Sequence, residues 1–228
     1  MKQKSLEIRP FDASPAAPAK APGTLCEVDE LELLDWKRHV FAAYADVRAA
    51  DDHEAAWREW RRARDRLFRG HPQSPLSAEG RTAFGGLAYF DYDPALRVLG
   101  EVTPGDDTVR EVTASGGEVV RVRRFGSVRF ELEGSPHELA AFWLDAYGGG
   151  VFLPFTDVTS GKETYGGGRY LLDTVKGADL GSTDEGLILD FNFAYNPSCA
   201  YDPRWVCPLS PPENLLPVSV QAGEQHRG

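Results

Sequence analysis

Between positions 157 and 196 the chain carries side chains whose types suit proton transfer and the capture of a polar ligand. Read on a strand template, residues 187–194 place Leu187, Leu189, Phe191 and Phe193 on one face and Ile188, Asp190, Asn192 and Ala194 on the other. Asp190 and Asn192 then project side by side, roughly 6.5–7 Å apart along the strand. Such a pair can hold a polar molecule, and Asp190 becomes a general base if burial raises its pKa. Tyr165 offers a hydroxyl proton, and Arg169 offers a fork for an anionic or carbonyl group. Asp190 and Tyr165 are therefore the candidate catalytic residues. Arg169, Asp157, Asn192, Asn196, Tyr195 and Thr164 are the candidate ligand-binding residues. A purely structural alternative has Asp190 paired with Arg169 and Asn192 bonded to loop backbone.

The stretch TSGKETYGGGR, residues 159–169, resembles a phosphate loop only superficially. A Walker motif needs Gly where Thr156 stands and Ser or Thr where Glu163 follows the lysine. Two readings remain open. The glycines either supply positive φ in a hairpin, or bare N–H groups together with Arg169 form an anion-binding concavity. Asp157, Thr159 and Ser160 also suit Asx and Ser/Thr turns. Cys199 and Cys207 offer only two thiols, whereas zinc takes four ligands, so His71 or His137 would have to complete a site. No metal is expected, and buried reduced thiols are the default. Cys199 as a nucleophile would want a histidine base, and no histidine lies between Phe152 and Glu224.

These residues need a scaffold. Leu33, Trp36, Val40, Tyr44 and Val47 recur at helical spacing, as do Trp57, Trp60, Ala63 and Leu67, with Asp51 or Asp52 as an N-cap between the two runs. The pair predicts an αα-hairpin, and residues 77–84 add one or two helical turns. From Gly85 the period moves towards two. Residues 87–92, 96–102, 109–113, 118–125, 127–133, 151–155, 169–174, 187–193 and 217–222 read as strands separated by Gly, Pro and Asp turns. Residues 139–147 fit helix or strand equally. The fold class is α+β, mainly antiparallel β, with a barrel or sandwich packed against the N-terminal hairpin. A flavin-type split barrel is one version, although no residue pattern demands a flavin or any other cofactor. The proline-rich stretch 196–214 is expected to wrap over the sheet and cover one end. Residues 1–24, rich in Pro and Ala, read as a disordered tail. Residues 25–224 read as one domain, helical to 84 and β from 85, followed by a loose 225–228.

Of 228 residues, 42% are hydrophobic and 26% charged, enough apolar material for a core without metal or disulfide staples. The formal charge of −10 disfavours nucleic acid and anionic lipid as partners. The arginines of residues 58–69 are offset by Glu54, Glu59 and Asp65, so they read as a solvated or internally paired face. No run approaches the length of a membrane span, and the first 22 residues hold no apolar core of a signal peptide. Three cysteines, an odd number, fit a reducing, cytoplasmic location.

Four motifs carry a family resemblance: FTDVTSGKETYGGGRYL at 155–171, DFNFAYNPSCAY at 190–201, CPLSPPEN at 207–214 and AGE at 222–224. Together with SPL at 74–76 and GLAYF at 86–90, they resemble the bacterial family catalogued as domain of unknown function 1684, over roughly Leu34 to Glu224. The resemblance implies a fold and a site region and supplies no activity. Two functions follow from the residues themselves. The chain either binds a small polar or anionic molecule, with acid–base chemistry by Asp and Tyr, or is a structural or interaction module whose polar motifs stabilise a loop.

Overall fold

In a computed structural model, residues 30–145 and 148–226 are described. The expected tail at 1–24 lies outside them. The amphipathic runs form α1 (Glu30–Ala49) and α2 (His53–Gly70), an antiparallel hairpin followed by the short α3 (Ala78–Thr82). Asp52 caps α2 by accepting from the Ala55 N–H. The inner face of the hairpin is aromatic, with Tyr44 against Trp60 edge-on at 5.8 Å and Trp60 against Phe193 at 5.0 Å. Among the described residues, no helix is long and apolar enough to cross a membrane.

Seven antiparallel strands follow: β1 (Arg97–Thr113), β2 (Val119–Leu132), β3 (Ser135–Leu144), β4 (Gly150–Phe155), β5 (Arg169–Asp173), β6 (Ser182–Thr183) and β7 (Gly186–Asp190). They form one sheet in the order β5-β4-β3-β2-β1-β7-β6. The expected runs at 96–102 and 109–113 are one strand, with a register shift between Pro104 and Thr108 where the break was read. Residues 118–125 and 127–133 merge likewise into β2, and the ambiguous 139–147 begins as β3.

The barrel and the sandwich are not what forms. The sheet is single and open, so the flavin-type split barrel loses its architectural basis. The reason lies at Asp190. The chain leaves β7 there in a 3-10 turn, Phe191–Phe193, instead of continuing as a strand to Phe193. It then reaches back to β5 at an isolated Tyr170–Tyr195 bridge, with no ladder to close the sheet. Residues 217–222 are also irregular rather than strand, and 87–92 contributes only the Tyr89–Glu224 bridge.

Strand alternation divides the core. Val128, Phe130, Leu139, Ala141, Leu153 and Leu171 pack with the helical aromatics on one face, and Val122, Ala140, Phe142, Phe152 and Tyr170 cluster on the other. The 196–214 segment lies against this second face: Ala114 bridges to Pro208, and the Tyr170 hydroxyl donates to the Pro208 carbonyl.

Asn214, fully buried, does what a strand would do. Its Oδ1 accepts from Ala140 N–H at 2.9 Å, and its Nδ2 donates to the carbonyls of Ala140 at 3.0 Å and Pro154 at 2.7 Å. The β3–β4 ladder has ended at Phe142–Phe152, and the asparagine satisfies the backbone groups beyond it. Replacing Asn214 with Ala strands these buried groups and should cost about 3 kcal/mol or more of unfolding free energy, read as a lower denaturant midpoint at unchanged slope.

Candidate functional site

The loop after β4 folds on itself. The Thr159 hydroxyl donates to the Asp157 carboxylate at 2.8 Å and meets the Thr164 hydroxyl at 2.9 Å. The N–H groups of Lys162, Glu163 and Thr164 all bond to the Thr159 carbonyl, and that of Gly161 bonds to Thr164. Those four donors are consumed within the loop, as a tight turn requires, and are not available to an anion. Gly168 closes the loop at φ +92°, where a Cβ would stand 2.7 Å from the Phe155 carbonyl.

Arg169, at the start of β5, is fully buried and turns away from this loop's surface. Its guanidinium lies 3.5 Å from the buried Asp157 carboxylate and over the Phe155 ring at 5.0 Å. It donates to the Val220 carbonyl at 3.0 Å and also to that of Ala222. Asp157 in turn accepts from Val220 N–H at 2.7 Å. The pair therefore clasps the backbone of residues 220–222 from both sides. Burial lowers the Arg169 pKa to about 10 despite Asp157 beside it, so it stays protonated at neutral pH.

Asp190 belongs to a different cluster. Its Oδ1 accepts from Asn192 N–H at 3.0 Å and Asn192 Nδ2 at 2.8 Å, and Arg97 Nε, opposite it in the β1–β7 register, lies 3.8 Å from Oδ2. The two side chains are thus hydrogen-bonded within a 3-10 turn rather than projecting side by side from a strand. Asn192 spends its remaining capacity on the backbone of Asp93. Burial raises Asp190 to about 6, the Asn192 bonds opposing. Its cavity is only 40 Å³, room for about one water. Among the described residues, no ion pair joins Asp190 to Arg169.

Tyr165 is half-buried, its hydroxyl 3.6 Å from Cys199 Sγ, and burial, aided by that contact, raises it to about 12. The Tyr195 ring lies under the Arg64 guanidinium at 5.0 Å. Asn196 gives its N–H to Glu224 at 3.1 Å and its Nδ2 to the Gln225 carbonyl at 3.1 Å, which leaves its buried Oδ1 open. Gln225 and His226, expected to be loose, are held through backbone bonds to Ala88 and Glu163.

These bonds deliver Glu224, the residue that sequence reasoning passed over. Gly223 precedes it at φ +74°, where a Cβ would meet the Ala194 and Phe191 carbonyls at 2.6 and 2.7 Å. Glu224 is 1% exposed and stands in the wall of an 840 Å³ cleft shared with Arg61, Asp65, Tyr89, Tyr201, Gln225 and His226. Arg64 donates to it at 2.7 Å, with Nε on the Tyr89 hydroxyl at 2.9 Å, and Tyr201 donates to its other oxygen. Burial lifts Glu224 to about 7 against the pull of Arg64. Of the two buried charges, the carboxylate gives way first, because Arg64 is held above its usual value, its tyrosine and Glu224 partners outweighing the cost of burial. The available signal was an arginine on the apolar stripe of α2, one turn after Trp60, and an acidic residue ending the apolar run 215–224.

A second group, Asp35, His39 and His71, has ligand-type atoms within 4.8 Å of one another. His71 Nδ1, however, accepts from Gln73 N–H at 3.0 Å, so Nε2 carries the proton facing Asp35 at 3.4 Å. The group is a hydrogen-bonded cap between the helices, and a metal would have to break it.

The architecture is an α+β chain built on an open antiparallel sheet, with a cleft between α2 and the C-terminal segment. The family described as "Protein of unknown function (DUF1684)" matches residues 82–225, and the chain belongs to it. The chain is also similar to an uncharacterized protein of Haloarcula marismortui solved by solution NMR, at 36% identity and a TM-score of 0.55, over 77% of this chain and 95% of that one. No curated protein matches.

Two outcomes check the electrostatics. Arg169→Ala leaves Asp157 charged and buried, and should cost about 3–5 kcal/mol in chemical denaturation. The Glu224 pKa of about 7 in the folded chain stands above its ordinary 4.5. Its proton thus stabilises the fold fully below 4.5, and this contribution is lost as pH rises through 7. Relative to Glu224→Gln, wild-type stability should fall by about 3 kcal/mol over that window, and parallel pH profiles of the two proteins would contradict the buried, raised carboxylate.

Proposed function

We propose that this protein binds a small polar molecule in the Glu224 cleft and moves a proton through Glu224. The observation that carries the reading is a carboxyl buried in a cleft wall and poised to ionise near neutral pH, the condition under which one group serves as both acid and base. Arg64 and Tyr201 hold its two oxygens, so a ligand group reaches Glu224 through the Tyr201 hydroxyl or by taking its place. Tyr89 accepts from Arg64 and keeps its own proton for another acceptor. The Arg61 guanidinium, over the Trp57 and Tyr89 rings at 4.5 Å, is the cation available to an anionic substituent. The proton handling expected of Asp190 and Tyr165 moves in this reading to Glu224 and Tyr201, and Arg169, Asp157, Asn196 and Tyr195 become the frame that seats them.

A second reading, a non-catalytic module whose polar motifs stabilise loops, is favoured by one observation. The Asp157, Asn192 and Arg169 side chains bond to the protein's own backbone.

A thermal-shift screen with nucleotides, flavins and sugar phosphates separates the two. The cleft reading expects a stabilising compound whose effect is lost in both Glu224→Gln and Tyr201→Phe. A compound that stabilises all three proteins equally binds elsewhere and defeats the assignment.

A further inference from the structure

Two thiols meet beside the cleft, at a place the Glu224 reading does not use. Cys199 sits on the 3-10 turn Ser198–Ala200, half-buried, and Cys207 is buried where its segment docks on the end of β1. The docking is firm: Ser115 N–H bonds to the Cys207 carbonyl at 2.9 Å, Cys207 N–H bonds to Ser115 Oγ at 3.1 Å, and Leu209 N–H bonds to the Thr113 carbonyl at 2.9 Å. Each thiol is the other's strongest electrostatic partner, and neither is in a disulfide. The Tyr165 hydroxyl, which keeps its proton, lies 3.6 Å from Cys199 Sγ, and the Ser115 hydroxyl, which donates to the Trp205 carbonyl at 3.2 Å, also favours charge on that sulfur. Two hydroxyls and the buried thiol thus act on the more exposed sulfur. They favour the Cys199 thiolate, bringing it down to about 6, chiefly through the Cys207 thiol, while the same pairing and burial push Cys207 up.

We propose that Cys199 is a peroxide-reactive thiol and that Cys207 is its resolving partner, so that the pair closes a reversible disulfide. In the first step the Cys199 thiolate attacks one oxygen of a hydroperoxide. An S–O bond forms, the O–O bond breaks, and the departing oxyanion takes a proton and leaves as water or an alcohol. Sulfur is oxidised by two electrons to the sulfenic acid, and the peroxide is reduced by two. In the second step the Cys207 sulfur attacks the Cys199 sulfur. An S–S bond forms, the S–O bond breaks, and hydroxide combines with the Cys207 proton to leave as water. A dithiol reductant restores both thiols. The asymmetry, one accessible sulfur stabilised as thiolate and one buried sulfur held against it, is what separates an attacking from a resolving cysteine.

The full chain is treated with hydrogen peroxide under native conditions, quenched with an alkylating agent and digested with trypsin. Arg204 is the trypsin site between the two cysteines, so the bond joins peptide 177–204 to peptide 205–227. The proposal expects this linked pair to appear before Cys26 is modified and to vanish with dithiothreitol. Cys207→Ser should accumulate a dimedone-trappable sulfenic acid at Cys199, and Cys199→Ser should leave Cys207 a free thiol. Either of two results in the wild-type chain overturns it. One is both thiols untouched until the protein unfolds, and the other is Cys199 advancing to the sulfinic acid while Cys207 remains reduced.

Discussion

A guanidinium and a carboxylate, both withdrawn from water, hold the C-terminal segment in place. Arg169 and Asp157 pair at 3.5 Å and together take up the N–H and carbonyl of Val220 and the carbonyl of Ala222. Burying two charges is costly, and their mutual attraction offsets that cost only when the remaining donors and acceptors find partners. Here backbone supplies most of them. The TSGKET loop, which folds around Asp157 through Thr159 and Ser160, exists to present that carboxylate inward. The clasp also explains why an irregular segment can cross the edge of the core without a ladder of its own.

What the clasp positions is Glu224. Three residues on from the Val220 backbone, the chain makes a left-handed turn at Gly223 and sends the next side chain towards α2. Arg64 meets it there because it lies on the same helical stripe as Trp60, between aromatic rings that exclude water on three sides. The outcome is a competition between desolvation, which favours the neutral acid, and a cation that favours the anion. Burial wins by enough to leave the group near neutrality. Asp190 undergoes the same competition beside a void of only 40 Å³.

Much of the fold was legible because it is local. The helices follow from Trp57, Trp60 and Leu67 at steps of three and four, and Asp52 announces the cap. Turn residues located the strand boundaries, except where Pro104–Asp106 marks a bulge rather than a break. Closure of the sheet was not legible, because it depends on whether residue 191 continues as strand, and that is decided by Asn192 turning to bond Asp190 and Asp93. The candidate site was half legible. Arg169, Asp157 and Asn196 stand out by type and motif; Arg169 and Asp157 pair at 3.5 Å, while Asn196 meets the C-terminal segment separately, at Glu224 and Gln225. Their shared product, Glu224, depends on a partner 160 residues away. From sequence alone, Arg64 is one of six arginines on a helix that reads as solvated.

The clasp is what sets the environment of Glu224. Titration of the Glu224 carboxyl carbon by NMR in wild type and in Arg169→Lys, which retains the positive charge and loses the fork, tests this directly. The prediction is an apparent pKa of about 7 in wild type that falls towards 4.5 in the variant, as the loosened segment admits water. A carboxyl that titrates near 7 in both proteins would show that Arg64 and the aromatic cage suffice, and that the clasp is incidental to the site.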